Sequence, residues 1–378
     1  MSALFQNYAR RPISIVEGKG TLVYDSEGKR YIDFTSGIAV CALGHAHPAI
    51  VKAIQAQSEK LWHISNLFES PGQEKLAATL VKDLPLSYAF FCNSGAEANE
   101  AAIKLARKHT GKHHIIVFEQ SFHGRTFGAM SATGQDKVRK GFGPLVEHFT
   151  TLPFNDVAAL EATIDDSVAA IMLEVVQGEG GVNAVTPEFA EAIQAICDQH
   201  GILLIVDEVQ TGIGRTGTRF AFEQTALKPN IVSMAKGLGG GFPIGGILGT
   251  AELFETFNAG THGTTFGGNP LAVSVAQTVI EHIFNEEFLA NVQAKSVYLK
   301  QKLAEALPGN KYTVQGMGLM LGVSCGGDDV APLVTKLEQA GLLVVQAGTK
   351  VIRLLPPLTV SEEEIDEAVK ILKSVLIG

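Results

Sequence analysis

The middle of the chain alternates short apolar runs with amphipathic stretches, and that alternation restricts the fold more than any other feature. The runs are Ala89–Cys92, His114–Phe118, Ala169–Leu173, Ile202–Val206 and Asn230–Met234, and the stretches between them include Ala96–His109 and Pro187–His200. Strand, helix and strand in succession predict right-handed crossovers and a mostly parallel sheet. The fold class is α/β, and such a sheet binds ligands at the carboxyl ends of its strands. Glycine is the compositional outlier, at 40 of 378 residues. The glycines have no period, which excludes collagen and simple repeats, and they cluster in loops that follow the apolar runs.

The two ends read differently. Gly20–Ile32 alternates around Ser26-Glu27-Gly28 and predicts a hairpin. Past residue 275, long helical patterns mix with short strands at Leu319–Val323, Leu342–Val345 and Val351–Leu354. The expected organisation is a large central α/β domain over residues 46–274 and a small α/β domain built from both termini, residues 1–45 and 275–378.

Net charge is −9, which argues against a general nucleic-acid binder but leaves room for a local basic pocket that takes a small anion. The N-terminal MSALFQNYARRP lacks the apolar core of a signal peptide, and no run of about 18 apolar residues is present. The expectation is a cytoplasmic protein with no membrane partner. Cys41, Cys92, Cys197 and Cys325 are far apart, which fits isolated reduced thiols. His45-Ala46-His47 and His109 with His113-His114 fit no ligand spacing and read as turn or surface residues, so no metal is expected. No Walker A loop or G-x-S-x-G elbow occurs.

Four segments carry chemistry. Phe90-Phe91-Cys92-Asn93-Ser94-Gly95-Ala96-Glu97 ends a strand and opens a helix. Ser94 is placed to cap it, Gly95 lets a ligand approach the backbone, and the free N–H groups suit a phosphate, although a plain N-cap explains the same residues. Leu203-Leu204-Ile205-Val206-Asp207 puts a carboxylate at a strand end, where it either caps the next turn or accepts a charge-assisted hydrogen bond from a protonated ligand nitrogen. Gly212-Ile213-Gly214-Arg215-Thr216-Gly217 matches G-x-G-x-x-G, but it does not sit directly between strand and helix, and Lys236 stands near the offset where a dinucleotide site needs an acid. Lys236 itself follows an apolar strand end and precedes Gly237-Leu238-Gly239-Gly240-Gly241. A lysine desolvated there has a lowered pKa and can form a Schiff base; one that snorkels to the surface does not.

In this order, with NSGAEANEAAIKLAR, FHGRTFGAMSATG, VQGEGGV, LLIVDEVQTGIGRTG, MAKGLGGGFPIGG, HGTTFGGNP and IRLLPPL, the chain resembles the class III (ω-amino acid) aminotransferases from about Tyr8 to Pro357. The resemblance implies the type I fold, pyridoxal 5'-phosphate as cofactor, and an active site shared across a homodimer. Lys236 corresponds to the Schiff-base lysine, and Asp207 to the acid that keeps the pyridine nitrogen protonated. Ser94, Gly95 and Ala96 correspond to the phosphate turn. Phe122 and Val209 correspond to the two ring faces, Gln210 to the partner of the phenolic oxygen, and Thr265 to a phosphate contact from the other subunit.

For the substrates, the resemblance implies that Arg353 grips an α-carboxylate and Arg125 the distal one, as 2-oxoglutarate and glutamate require. Glu179 corresponds to the switch that neutralises Arg353 when the amino donor has only one carboxylate. Tyr8, Ile38 and Thr264 are further substrate contacts. Ile38 stands where ornithine-specific members commonly carry tyrosine, which favours a blocked α-amine. The donor expected is N2-acetyl-L-ornithine, with ornithine, 4-aminobutyrate and succinylated amines as alternatives. A pyridoxal-phosphate aminomutase or racemase is the reading from another class, disfavoured by the presence of both arginines.

Overall fold

The computed structural model describes residues 3–378. A seven-stranded sheet forms the centre, in the order Tyr88–Cys92, Gly245–Gly249, Ile231–Met234, Leu203–Asp207, Val168–Leu173, His114–Phe118, Phe149–Leu152. Its pairings are parallel except those of Gly245–Gly249, which runs antiparallel to both neighbours. The class is therefore the mixed α/β fold the alternation implies. All five predicted runs are strands, with ends shifted by one residue in most cases. Two strands come in addition. Phe149–Leu152 is an edge strand rich in threonine, and Gly245–Gly249 is mostly glycine. A Cβ at Gly245 would stand 2.5 Å from the Ser94 carbonyl oxygen, so that strand packs where a side chain would not fit.

Helix Gly95–Thr110 shows why the sequence folds this way locally. The Ser94 hydroxyl accepts the Glu97 N–H at 3.2 Å, and Gly111, at φ +68°, closes the far end. Ala98, Ala101, Ala102, Leu105 and Ala106 lie on one face and are buried, and four of the five are alanine, which lets the helix lie close on the sheet. Thr186 caps helix Pro187–His200 in the same way, with Pro187 in the first turn and Gly201 past the end.

The termini interlock. Ile15–Lys19, Leu22–Asp25 and Arg30–Asp33 form an antiparallel meander, one strand more than the predicted hairpin, and Leu342–Leu343 adds to it in parallel. Thr313–Met317, Met320–Ser324, Val351–Leu354 and Val345–Ala347 form a second, antiparallel sheet. The two parts are sewn together by Leu355 N–H to the Phe34 carbonyl at 2.7 Å and by the Ser36 hydroxyl to the Leu355 carbonyl at 2.7 Å. Gly212–Gly217 is a loop and opens no helix. Its Arg215 is buried and donates to the carbonyls of Leu319 and Pro356. Among the described residues no helix is long and apolar enough to cross a membrane.

Candidate active site

A cavity of about 410 Å³ opens at the carboxyl ends of the parallel strands, lined by Ser94, Gly95, Ala96, Phe122, Arg125, Glu179, Asp207, Val209, Gln210 and Lys236, among others. Residues from five separate segments of the chain thus meet in one place, and the Gly212–Gly217 loop is not among them.

Asp207 ends the buried strand Leu203–Asp207 and is itself 3% exposed. One carboxylate oxygen accepts the Val209 N–H at 3.0 Å. The other accepts from Asn99 Nδ2 at 2.8 Å and pairs with His123 Nδ1 at 2.7 Å. The carboxylate is fixed from behind and presented to the cavity. Asn99 and His123 did not emerge from the sequence, because they lie 108 and 84 residues from Asp207 and meet it only in the fold. The one signal for His123 is its place inside FHGR, next to Phe122.

Lys236 follows strand Ile231–Met234 and holds φ at +38°, a left-handed value that a non-glycine residue adopts only when its surroundings enforce it. Its amine faces the cavity without a hydrogen-bond partner among the described residues. Desolvation pushes its pKa below the ordinary lysine value, against the opposing charge of Glu179. That is the state a nucleophilic, proton-carrying amine requires.

Arg353, on strand Val351–Leu354, is 1% exposed. It donates from Nη1 to Glu179 Oε1 at 2.7 Å and to Gln210 Oε1 at 2.9 Å. Burial would raise the Glu179 carboxyl, but the charge and hydrogen bond of Arg353 outweigh it and hold the group below the usual carboxylate range. Arg125 is exposed at the mouth, its guanidinium 5.7 Å from the centre of the Phe122 ring.

The remaining sequence candidates lie elsewhere in the single chain. Tyr8 is 69% exposed and outside the cavity lining, and Ile38 is 40% exposed beside Val40, which does line it. Thr265 is exposed, and Thr264 accepts from Asn93 Nδ2 at 3.2 Å rather than facing the cavity. His45, which reads from sequence as a turn or surface residue, is half-buried and pairs through Nε2 with the buried Asp33 at 2.7 Å. Glu174, like Asp207, stands at the carboxyl end of a buried strand, and it lines the same cavity. No group of three or more metal-ligating side chains occurs among the described residues.

The family model for class III aminotransferases matches residues 5–376, and the chain belongs to that family. It is a pyridoxal-phosphate-dependent aminotransferase. Curated relatives named acetylornithine aminotransferase are 54% identical over 99% of this chain and 97% of its length (Bacillus cereus) and 56% identical over 100% and 98% (Halalkalibacterium halodurans). The ornithine aminotransferase of Toxoplasma gondii, in a structure with partial occupancy of PLP at its active site, superposes with a TM-score of 0.93 at 33% identity, covering 99% of this chain and 92% of that one.

The residues present fit the cofactor. A Cβ at Gly95 would stand 2.7 Å from Val209 Cγ1, so glycine there keeps the cradle open beside Val209. The N–H groups of Gly95 and Ala96 are among those a helix leaves without an internal acceptor, which suits a phosphate. Buried His123 Nε2 and Asn99 Oδ1 have no partner among the described residues, and both belong to the side chains that orient Asp207.

Proposed function

We propose that this chain transfers the terminal amino group of N2-acetyl-L-ornithine to 2-oxoglutarate, giving N-acetylglutamate 5-semialdehyde and glutamate, a step of arginine biosynthesis. The observation that carries the reading is the pairing of buried Arg353 with half-buried Glu179 in the cavity that holds Lys236. A guanidinium with a built-in carboxylate partner accepts a donor that has one carboxylate as readily as an acceptor that has two.

When bound, pyridoxal phosphate supplies an electron-withdrawing ring that stabilises negative charge on the donor carbon. Asp207, fixed by His123 and Asn99, holds a proton on the ring nitrogen by hydrogen bond. Ser94, Gly95 and Ala96 take the phosphate, Phe122 and Val209 confine the ring, and Gln210 reaches its phenolic oxygen while also holding Arg353. Lys236 Nζ, with its lowered affinity for a proton, accepts one from the donor carbon and returns it to a neighbouring atom. Arg125 takes the carboxylate of N-acetylornithine while Glu179 neutralises Arg353. With glutamate or 2-oxoglutarate, Arg353 takes the α-carboxylate, Arg125 the distal one, and Glu179 is displaced. Ile38, two residues from the lining residue Val40, offers no polar partner to a free α-amine, which favours the acylated donor, and the same reading assigns Tyr8 to the donor.

The same reading assigns a homodimer. Trp62, Leu67, Phe68, Phe254 and Phe266 are exposed around the loop that carries Thr264 and Thr265, and two copies joined there bring Thr265 to the partner's phosphate and Thr264 toward its substrate. Residues 1–45 and 275–378 act as one small domain against 46–274, and the enzyme works in the cytoplasm.

The test is a visible spectrum of the purified protein. N-acetylornithine added without a keto acid bleaches the yellow band of the bound cofactor, and 2-oxoglutarate restores it. A band that ignores N-acetylornithine but bleaches with ornithine or 4-aminobutyrate would move the donor assignment. Sedimentation equilibrium at the dimer mass, lost on a charged substitution of Phe266, checks the assembly.

A further inference from the structure

The G-x-G-x-x-G match over Gly212–Gly217 is a loop, and the reaction above gives it no task. At its centre Arg215 is buried and does not line the cavity. Among the described residues no acid pairs with it. Burial pushes its guanidinium down to about 9, so it keeps its charge at neutral pH and its hydrogen bonds are charge-assisted. They go to backbone. Nη1 donates to the Leu319 carbonyl at 3.2 Å and to the Pro356 carbonyl at 2.5 Å, and the Arg215 carbonyl accepts the Leu319 N–H at 2.9 Å. The loop is packed tightly between helices Pro270–Ile283 and Glu286–Ala306. A Cβ at Gly214 would stand 2.5 Å from Ile283 Cγ2, and one at Gly217 2.5 Å from Gln293 Cγ, so the glycines of the motif serve close packing.

The two carbonyls belong to the strand pair that carries Arg353. Met320–Ser324 and Val351–Leu354 run antiparallel, with Gly322 opposite Arg353 and Leu321 opposite Leu354. Leu319 precedes the first strand and Pro356 follows the second, so both carbonyls stand at the same end of the ladder, each three residues from the Gly322–Arg353 rung. Arg215 closes that end. Its loop starts just after Gln210, which lines the cavity and whose Oε1 accepts from Arg353 Nη1 at 2.9 Å. A ring of contacts results. It runs from Arg353 to Gln210, along the chain to Arg215, across to Pro356, and back along the strand to Arg353. Glu179 and Gln210 reach the Arg353 side chain, whereas Arg215 reaches its backbone segment, and that tie does not pass through Glu179.

We propose that Arg215 is a positioning residue that fixes the strand of Arg353 relative to Gln210, and thereby sets how well Arg353 grips an α-carboxylate. This rests on the reading of Arg353 as that grip. Glutamate and 2-oxoglutarate need Arg353 in one place. N-acetylornithine, held through Arg125, does not bind to it. Methionine at position 215 keeps the bulk and removes the donor, so the end of the ladder is freed from the loop. Lysine keeps the charge on a single compact ammonium in place of the guanidinium. Neither change alters a residue that lines the cavity.

The experiment compares the two amines on the cofactor-loaded enzyme. Single-turnover bleaching of the visible band gives kcat/KM for glutamate and for N-acetylornithine, and their ratio cancels any loss of folded protein. In Arg215→Met the ratio falls roughly tenfold against glutamate, and Arg215→Lys recovers part of it. Arg353→Lys, the control, moves the ratio in the same direction. A Cβ at Gly318 would stand 2.5 Å from the Arg215 carbonyl oxygen and 2.3 Å from Thr216 Cα, so Gly318→Ala wedges the turn off the loop with Arg215 unchanged. It is read by the same ratio, with the same fall expected, and serves if the methionine variant does not fold. An equal fall for both amines, or loss of the cofactor with the ratio intact, makes Arg215 structural only and overturns the inference. If Arg353→Lys leaves the ratio unmoved, the reading of Arg353 as the α-carboxylate grip fails, and the positioning role with it.

Discussion

Removal of the Glu179 carboxylate, by Glu179→Ala, tests the neutralising role of that side chain. Arg353 is 1% exposed and has two side-chain acceptors, Glu179 and Gln210, and the substitution leaves it with one. Stripping a partner from a buried charge costs about 3–5 kcal/mol. The Glu179 side chain is 31% exposed, so water recovers part of that, and about 2 kcal/mol is the appropriate figure. The cost falls on every state in which Arg353 holds no substrate carboxylate, which includes the free enzyme and the complex with N-acetylornithine. Glutamate brings its own carboxylate and no longer has to displace Glu179. The ratio of kcat/KM for the two half-reactions therefore moves toward glutamate by roughly 30-fold. Single-turnover bleaching of the visible band with each amine measures it. The sign with pH follows from the same pair. The Glu179 carboxyl is held below its usual range, so the pairing is present through neutral pH and is lost only as pH falls through that depressed value. A change of equal size in both half-reactions would refute the reasoning.

Three further outcomes are expected. Gly95→Ala places a Cβ 2.7 Å from Val209 Cγ1, an overpacking of about 1–3 kcal/mol, and weakens cofactor retention on dialysis; full retention would show that the cradle can relax. Arg215→Ala leaves the carbonyls of Leu319 and Pro356 without their buried donor and lowers unfolding stability by about 3 kcal/mol, read as a shifted urea midpoint. The hydrogen bond to Asp33 raises His45 to about 10, so its stabilisation is complete below the ordinary imidazole value near 6.5 and is lost as pH rises through 10. His45→Asn removes that alkaline decline in the urea midpoint, and a decline identical in both proteins would contradict the assignment.

What could be read from the sequence was local. Leu203–Asp207 is an unbroken apolar run closed by an acid, and the start of helix Gly95–Thr110 has its cap and its acidic first turn within a few residues. The strand Gly245–Gly249 has no such signal. Three of its five residues are glycine, and it is a strand because it completes antiparallel hydrogen-bond ladders with Tyr88–Cys92 on one side and Ile231–Met234 on the other. Phe149–Leu152 pairs with one neighbour at the sheet edge, so it needs no continuous apolar pattern. The side chains that orient Asp207 share the same limitation. Asn99 looks like any residue of an alanine-rich helix, and His123 like any loop histidine, until the sheet brings them to one carboxylate. The pairing of His45 with Asp33, 12 residues away, carries no local signal for the same reason.

The pairing of Leu342–Leu343 with Arg30–Asp33 has a consequence for the order in which the protein acquires its abilities. The cofactor residues that one chain supplies to its own cavity lie between Ser94 and Lys236, whereas Arg353 comes 117 residues after Lys236. At about 5–20 residues per second, synthesis reaches Arg353 on the order of ten seconds after the lysine. Pairing that joins such distant segments is also slow to form. The nascent chain can thus meet its cofactor well before it can hold a substrate, and the α-carboxylate grip is the last part of the site to be made.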